Sequence, residues 1–259
     1  MAQILFNDGS AYERYMGIWS RLAGRAFLDW LAPSPGGRWL DVGCGNGAFT
    51  ELIFERCAPL SVKGIDPSEP QLSYARRRFA SRPAEFAKAD AMDLPYADAS
   101  FDAAAMPLVI FFVSEPAKGV AEMRRVVAPG GTVSAYAWDM PGGGFPYAVV
   151  REELRDMGVK LATESNPDAS KSEVLRALWT GGGLEGVETR EIAVTRAYAD
   201  FDDYWTTVLG GPAFAPALKA MPPKDLDGLK ARLRARVPAG ADGRIICGAR
   251  ANAVKGRVP

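Results

Sequence analysis

The sequence contains no histidine among its 259 residues. This absence excludes the commonest general base, the commonest transition-metal ligand and every nucleophile that depends on a histidine partner. Only three cysteines are present, Cys44, Cys57 and Cys247, and their spacing matches no zinc site. We therefore predict no metal centre, and we expect a reduced, cytoplasmic location.

The chain also lacks net charge and long hydrophobic runs. Lys+Arg and Asp+Glu number 31 each, so the formal net charge is zero, without the basic surface typical of a nucleic-acid-binding protein. No apolar stretch approaches the ~20 residues that cross a membrane. Residues 1–8 lack the basic and apolar regions of a signal peptide. We therefore expect neither a nucleic acid nor a membrane as partner, and we leave monomer and homodimer open.

Glycine is concentrated where it bears on function. Gly43, Gly45 and Gly47 follow Asp41 between a predicted strand and a predicted helix. Without Cβ atoms, such a turn adopts positive φ and lets a ligand approach the backbone. The pattern also fits the dinucleotide fingerprint, with Asp66 at the expected distance to bind a ribose. The loop therefore predicts an adenosine-type cofactor without deciding which one.

Asp41 bears on that choice. The pyrophosphate of a dinucleotide would lie at the helix N-terminus, where the charge of Asp41 would oppose it. S-adenosylmethionine instead carries a sulfonium and an ammonium group, which suit a carboxylate. The residues favour S-adenosylmethionine, with a nicotinamide oxidoreductase as the disfavoured alternative.

Strands alternate with helices along the first half of the chain, which predicts a parallel, doubly wound sheet. Strands are predicted at 38–43, 61–66, 84–89, 101–108, 132–138, 187–197 and 243–254. Helices are predicted at 10–31, 47–57, 69–81, 116–127, 147–158 and 170–180, and in broken form over 200–238. Pro129-Gly130-Gly131 is predicted to be a sharp turn. Asp202 is predicted to cap a helix at 203–209.

Five motifs in order, spread over roughly residues 12–138, resemble the class I S-adenosylmethionine-dependent methyltransferases. The similar group is the one that includes ubiquinone and menaquinone biosynthesis methyltransferases, the methyltransferase type 11 group. The motifs are Asp41-Val42-Gly43-Cys44-Gly45-Asn46-Gly47, Gly64-Ile65-Asp66-Pro67-Ser68, Ala89-Asp90-Ala91-Met92-Asp93-Leu94-Pro95-Tyr96, Ala99-Ser100-Phe101-Asp102, and residues 122–131, which end in Pro129-Gly130-Gly131.

The resemblance implies an α/β fold with a doubly wound, Rossmann-like sheet of seven strands. The sheet would be mostly parallel with an antiparallel last strand. Residues 1–259 would form a single methyltransferase domain. Its expected parts are an N-terminal lid helix at 10–31, a cofactor-binding core at 36–138, and helical insertions at 140–169 and 200–240 that form a cap over the acceptor.

The resemblance also implies which residues bind the cofactor S-adenosyl-L-methionine, whose product is S-adenosyl-L-homocysteine. Asp41 would lie near the ammonium group, Asp66 would hold the ribose hydroxyls and Asp90 would accept from the adenine amine. The methionine part would be lined by Gly43, Cys44, Gly45 and Gly47, and the adenine would be bordered by Pro67, Ser68, Ala91 and Met92. The backbone near Pro107, at Met106 or Leu108, would contact the cofactor. Tyr15 and Trp19 would form an aromatic lid.

We expect a small, apolar or aromatic methyl acceptor beyond the fourth and fifth strands. Methyl transfer by in-line displacement depends mainly on positioning and desolvation. Asp139 and Tyr204 are the weak candidates for a general base. Aromatic residues predicted near the acceptor are Phe111, Phe112, Tyr136, Trp138 and Trp205. The alternative is a non-catalytic S-adenosylmethionine-binding or interaction protein on the same fold, motivated by the absence of histidine and by Pro107 where relatives often carry a small polar residue.

Overall fold

The computed structural model describes residues 13–211 and 214–259. Within these ranges, seven strands form one sheet in the order β3-β2-β1-β4-β5-β7-β6. Strands β1 to β5 are parallel, whereas β7 lies antiparallel between β5 and β6. The strands are β1 (Arg38–Val42), β2 (Ser61–Asp66), β3 (Ala84–Lys88), β4 (Phe101–Pro107), β5 (Val127–Trp138), β6 (Glu185–Tyr198) and β7 (Ile245–Arg257). The predicted doubly wound sheet with an antiparallel last strand is confirmed.

Helices cover both faces of the parallel part of the sheet, so its central strands are buried on both sides. Trp39 to Val42 in β1 and Ala103 to Pro107 in β4 are all buried. The helices are α1 (Ile18–Leu31), α2 (Ala48–Arg56), α3 (Glu69–Arg78), α4 (Pro116–Val126), α5 (Ala148–Asp156), α6 (Ser172–Gly181), α7 (Phe201–Leu209), α8 (Ala215–Ala220) and α9 (Pro223–Arg236).

The N-terminal helix begins with an irregular turn. A π-helical segment, Glu13–Gly17, leads directly into α1. Residues 10–12 of the predicted lid helix lie outside the described residues. Among the helices that the structure describes, none combines the length and the apolar character needed to cross a membrane.

Two local predictions are wrong. The first concerns β5, which begins at Val127 rather than at residue 132. Its pairing with β4 shifts register between Phe101 and Ala103. Pro129-Gly130-Gly131 is therefore an irregular part of the strand rather than a free turn. The backbone N of Gly130 donates to the Val258 oxygen at 2.8 Å, a contact from the far end of the chain.

The cap of α7 is the second correction. Asp200, not Asp202, occupies the N-cap position and accepts a hydrogen bond from the Asp203 backbone at 2.9 Å. Asp202 lies in the first turn and forms an ion pair with Lys230 at 3.0 Å. The helix predicted at 203–209 therefore begins two residues earlier, at Phe201, because Asp200 is as good a capping residue as Asp202.

The two helical insertions contact each other. Arg236 in α9 pairs with Glu152 at 2.6 Å and with Glu153 at 3.1 Å, both in α5. Because β5 and β6 are both antiparallel to β7, they run in the same direction, and the ends of β6 and β5 lie at one edge of the sheet. The second insertion follows Tyr198, the last residue of β6. Both insertions therefore leave the sheet at its carboxyl edge.

Candidate active site

The glycine loop between β1 and α2 folds back onto β2. The φ angles of Gly43, Gly45 and Gly47 are +76°, +52° and +84°. The backbone N–H groups of Gly43 and Cys44 both donate to the Ile65 oxygen, at 2.8 and 2.9 Å. These left-handed conformations suit glycine, which carries no Cβ to clash.

The three glycines are required for different reasons. A Cβ on Gly43 would lie 2.4 Å from Val109 Cγ2, and a Cβ on Gly47 would lie 2.5 Å from Phe79 Cε2. A Cβ on Gly45 would meet no atom within 4 Å. Gly43 and Gly47 therefore make room for side chains of this protein, and Gly45 is the glycine that borders open space.

Asp41 is fully buried near the end of β1. Its Oδ2 accepts a 2.6 Å hydrogen bond from the Thr50 hydroxyl in the first turn of α2, while Oδ1 has no partner among the described residues. Burial raises the pKa of Asp41 to about 7, although hydrogen bonds from Thr50 partly offset the effect. A buried carboxylate oxygen without a partner costs roughly 1–3 kcal/mol or more, and a cationic ligand atom would remove that cost.

Asn46 is a buried polar residue of the loop that the sequence reasoning did not single out. Its Oδ1 accepts from the Ala48 backbone at 3.2 Å, whereas Nδ2 has no partner among the described residues. No sequence pattern marks this residue, because its only signal is the burial of an unpaired amide group.

Asp66 ends β2 and is held by backbone groups. Its Oδ2 accepts from Gly45 N at 3.0 Å and its Oδ1 accepts from Ser68 N at 2.8 Å. Burial raises the pKa of Asp66, and these two hydrogen bonds lower it. Each oxygen can still accept from one more donor. Ser68 is the N-cap residue of α3, but its side chain makes no capping bond, and Pro67 is exposed beside it.

The loop after β3 carries Asp90, Ala91 and Met92. Asp90 is exposed, and its Oδ1 accepts from the Met92 backbone at 2.9 Å, which closes a tight turn. The Met92 sulfur accepts from the Ser114 hydroxyl at 3.3 Å. This contact brings the loops after β3 and β4 together at the carboxyl edge of the sheet.

The end of β4 lies beside the glycine loop. Met106 is fully buried, and Pro107 pairs with Tyr136 of β5. The last β4 residue that pairs with β1 is Ala105, so the missing N–H of Pro107 removes no bond to that strand. Leu108 then adopts a φ of +60°, and the next side chain, Val109, fills the space left by Gly43.

The Cys44 thiol lies near the Gly45 carbonyl oxygen, at 3.9 Å, and is buried. It lies in a separate small core cluster with Leu72, Ala75, Phe79 and Phe86. Burial raises the pKa of this thiol well above its usual value. The reactive form of cysteine is the thiolate, so this environment disfavours nucleophilic chemistry.

Tyr15, a predicted lid residue, contacts the insertions. Its ring stacks on Tyr147 with centroids 4.4 Å apart, and the Tyr147 hydroxyl donates to the Tyr15 carbonyl oxygen at 2.8 Å. The hydroxyls of Tyr147 and Tyr198 are 3.2 Å apart. A Cβ on Gly211 would lie 2.5 Å from the Tyr15 ring. The start of the N-terminal helix is therefore packed against residues of both helical insertions.

Trp19 and Trp138 extend this aromatic cluster toward the sheet. Their rings meet edge to face with centroids 6.5 Å apart, and Trp138 is the last residue of β5. The hydroxyls of Tyr15 and Tyr204 and the indole nitrogen of Trp138 are buried without a partner among the described residues. Burial also raises the pKa of Tyr204 far above its usual range. A neutral phenol of this kind is a hydrogen-bond donor rather than a base.

Asp139 follows β5 and is engaged at both oxygens. Oδ2 pairs with Arg250 Nη2 at 2.6 Å, and Oδ1 accepts from the Gly142 backbone at 3.1 Å. Arg250 also pairs with Glu191 at 3.3 Å. The ion pair between Asp139 and Arg250 anchors the 139–144 loop to β7.

The remaining predicted acceptor-side aromatics are spread around these elements. Phe111 and Trp205 are buried, whereas Phe112 is partly exposed. Tyr136 packs against Phe27 of α1, with centroids 4.8 Å apart. Among the described residues, no group of three cysteine or carboxylate side chains is arranged to hold a metal ion.

A separate groove of about 560 Å³ opens at the opposite, amino edge of the sheet. It is lined in part by Trp39, Gly131 and Asp102, and Asp102 forms a 2.7 Å ion pair with Arg38. None of the predicted site residues lines this groove. The candidate site is therefore the carboxyl edge, where Asp41 near the end of β1 and Asp66 at the end of β2 flank the glycine loop, as in other open α/β sheets.

Comparisons with known proteins identify relatives of part of the chain. Residues 40–135 match the family described as Methyltransferase domain. The demethylmenaquinone methyltransferase of Renibacterium salmoninarum is 36% identical over 155 residues, which cover 58% of this chain and 61% of that protein. The chain spans between about one third and three fifths of the length of the first curated relatives it matches.

Two solved structures share the fold. The YcgJ protein of Bacillus subtilis has a TM-score of 0.60 at 17% identity, with 91% of this chain and 97% of that chain covered. Phosphoethanolamine N-methyltransferase 2 of Haemonchus contortus, solved with S-adenosyl-L-methionine, has a TM-score of 0.61 at 18% identity, with 96% and 56% covered. Residues 40–135 therefore match a methyltransferase domain, and the motifs and strand order of the chain resemble those of the class I S-adenosylmethionine-dependent methyltransferases.

Proposed function

We propose that this protein transfers a methyl group from S-adenosylmethionine to a small apolar or aromatic molecule. The observation that carries the proposal is the unpaired, fully buried Oδ1 of Asp41, two residues before the glycine loop in which Gly45 borders open space. A dinucleotide would bring an anion to this loop, whereas S-adenosylmethionine brings an ammonium group that Asp41 can bind.

The other cofactor roles are proposed on the positions of the side chains. Asp66, already oriented by Gly45 and Ser68, would accept from the ribose hydroxyls. The turn at Asp90 to Met92 would border the adenine, together with Pro67. The backbone at Met106 and Pro107, at the end of β4, would face the same cofactor.

When bound, S-adenosylmethionine supplies an already activated methyl group on a positively charged sulfur. The protein then has to align the acceptor and exclude water. The aromatic residues Trp19, Trp138 and Tyr204 offer an aromatic wall, and the polar atom of each is buried without a partner among the described residues. The ion-paired Asp139 and the neutral Tyr204 make poor bases, so we propose an acceptor that needs no deprotonation by the protein, such as a pre-ionised phenol or hydroquinone.

The relatives support the acceptor class. The protein from Renibacterium salmoninarum is named for demethylmenaquinone, a quinone. Quinols are aromatic and acidic, which fits an apolar site without a strong base. The quinone class is therefore the first to be tested.

Binding and turnover are tested separately. Titration calorimetry with S-adenosylhomocysteine is expected to give measurable binding, and no binding at about 1 mM would refute the proposal. Methyl transfer from labelled S-adenosylmethionine to a panel of naphthoquinols, phenols and amines is expected to label a quinol or phenol. Binding with no transfer to any member would instead favour a non-catalytic cofactor-binding protein.

A further inference from the structure

One edge of the sheet is formed by β6, a long strand with a single neighbour. β6 spans 14 residues and pairs with β7 alone, whereas β3, at the opposite edge, spans 5 residues. The pairing of β6 with β7 is regular from Glu188 to Tyr198, and this stretch contains no proline. Proteins usually shorten, interrupt or cover such an edge, because its unpaired backbone groups attract another strand. The long, regular edge of β6 therefore indicates a place where a further strand can pair.

The hydrogen bonds of β7 show which backbone groups of β6 face outward. The Arg250 N–H donates to the Gly144 oxygen at 2.9 Å, and the Arg250 oxygen accepts from Asp139 N at 3.0 Å. Both groups of Arg250 thus point away from β6, so those of its cross-strand neighbour, Ala193, point away from β7. In an antiparallel ladder the same holds for every second residue, here Thr189, Glu191, Thr195 and Ala197. No described strand lies on that side of β6.

The side chains along this edge leave room for another strand. Eight of the 14 residues of β6 are exposed. Ala193, Thr195 and Ala197 are among them, and their side chains are small and uncharged. Lysine, a residue that often protects an edge from pairing, does not occur in β6. The Val187 oxygen accepts a 3.0 Å hydrogen bond from Arg176 of α6, so this helix covers the edge only near its start.

The charges of the regular stretch are complementary to those of a second copy. When a strand pairs with its own copy around a two-fold axis, residues at equal distances from the axis face each other. With the axis at Ile192, Glu188 of each copy faces Arg196 of the other, and Thr189 faces Thr195. Pairs of opposite charges and pairs of threonines both stabilise antiparallel strands.

Other axis positions lack this match. Among the positions that pair at least five residues of the regular stretch, Ile192 alone places opposite charges face to face. An axis at Ala193 would oppose Arg190 of one copy to Arg196 of the other. Glu188 contacts Lys255 at 3.5 Å, but its side chain is 61% exposed and can reach a second cation. The charge pattern therefore selects one register.

We propose that two copies of this chain associate through β6, in an antiparallel pair centred on Ile192. The sheet then continues from one copy into the other. The outward backbone groups from Thr189 to Thr195 form about eight hydrogen bonds between the copies. A second copy is the occupant that fits, because each β6 supplies both halves of the charge pattern. This assembly holds whether or not the protein transfers a methyl group.

Sedimentation equilibrium over a range of protein concentrations measures the association of the full chain. The paired stretch is about 30 Å long, so the interface is small, and we expect a dimer with a dissociation constant of about 1–100 μM. A protein that stays monomeric up to about 1 mM would overturn the proposal. Amide hydrogen exchange gives a second measure. The outward N–H groups of Glu191 and Ala193 should exchange more slowly in concentrated than in dilute solution, and equal exchange rates would also overturn it.

Variants test the backbone pairing and the register separately. Ala193→Pro removes one outward N–H but no bond between β6 and β7, so it should fold and weaken the dimer at least about tenfold. Glu188→Arg opposes two arginines and should weaken the dimer at least about fivefold. Glu185→Arg makes the same charge change but faces no β6 residue of the second copy, so it should leave the dimer unchanged. A dimer unaffected by Ala193→Pro would overturn the proposal. Equal effects of Glu188→Arg and Glu185→Arg would overturn the register centred on Ile192.

Discussion

The Thr50 hydroxyl donates a 2.6 Å hydrogen bond to Asp41 Oδ2, and this bond joins the end of β1 to the first turn of α2. It fixes the carboxylate in one orientation and leaves Oδ1 free for a ligand. The same bond only partly offsets the burial that raises the pKa of Asp41 to about 7. Asp41 is thus poised to change protonation state when a cation binds beside it.

The first prediction concerns protons released on ligand binding. At pH 6 most of the Asp41 carboxyl in the free protein is protonated, and an ammonium group would lower its pKa and expel the proton. Binding of S-adenosylhomocysteine should release close to one proton at pH 6 and almost none at pH 8.5, with affinity rising from pH 5 to 7. Calorimetry in buffers of different ionisation enthalpy measures the release. The same release from Asp41→Asn would show that another group is responsible.

The second prediction concerns the stability of the free protein. The pKa of Asp41 is higher in the folded protein than the value near 3.9 of an unfolded chain. The folded state therefore binds more protons, and this residue causes stability to fall as the pH rises from about 4 through about 7. Between pH 5 and 8 the loss is at most about 3 kcal/mol. Urea unfolding should show this loss reduced in Asp41→Asn, and an equal pH dependence in both proteins would contradict it.

The third prediction separates the two roles of the glycines. Gly43→Ala should destabilise the fold by about 2–4 kcal/mol, because its Cβ would overlap Val109 and its φ is +76°. Combining Gly43→Ala with Val109→Ala removes the two Val109 atoms nearest to the new Cβ. This double variant should therefore recover part of the lost stability. Gly45→Ala has space for the methyl group, so it should cost about 1 kcal/mol of stability from φ alone. In Gly45→Ala, the free energy of S-adenosylhomocysteine binding should fall by more than the free energy of unfolding.

The fourth prediction uses two aspartates at opposite edges of the sheet. Asp66→Ala should lose roughly 1.5–3 kcal/mol of S-adenosylhomocysteine binding through the loss of a charged hydrogen-bond partner. Asp102→Ala, which removes the partner of Arg38 at the amino edge, should leave binding unchanged. Calorimetry of both variants decides the matter. An equal loss in the two would place the ligand elsewhere or indicate a general effect on folding.

The fifth prediction compares two buried tyrosines in the helical insertions. Tyr147→Phe removes a hydroxyl bonded to Tyr15 and Tyr198, and should destabilise the protein by about 1–2 kcal/mol. Tyr204→Phe removes a buried hydroxyl without a partner among the described residues, and should be neutral or stabilising. Thermal unfolding of both variants provides the measurement. A large destabilisation by Tyr204→Phe would mean that its hydroxyl is bonded in solution.

The parallel core could be predicted from sequence because its signals are local. The glycine loop, Asp66 at the end of β2 and the apolar run of β4 are each contained in a short stretch of consecutive residues. The pattern of apolar residues along the chain identifies such elements. The long start of β5 could not be predicted in this way. Its path past Gly130 depends on a hydrogen bond to Val258, at the other end of the chain.

The candidate site shows the same division. Asp41 and Asp66 could be selected from motif and charge alone, whereas nothing in the sequence distinguishes Asn46 from an ordinary loop residue. Tyr15 contacts Tyr147, 132 residues away, so sequence spacing could not reveal that the N-terminal helix is tied to the insertions. Contacts between distant segments are the part that local patterns do not encode.

The contact between Gly43 and Val109 has a further consequence. The Val109 side chain, which follows β4, occupies the space where a Cβ on residue 43 would lie, so the two loops pack directly against each other. A ligand that orders the glycine loop must also order the segment after β4, which borders the aromatic side of the site. Donor and acceptor binding are then expected to be reciprocal: each raises the affinity for the other by the same factor, as linkage requires.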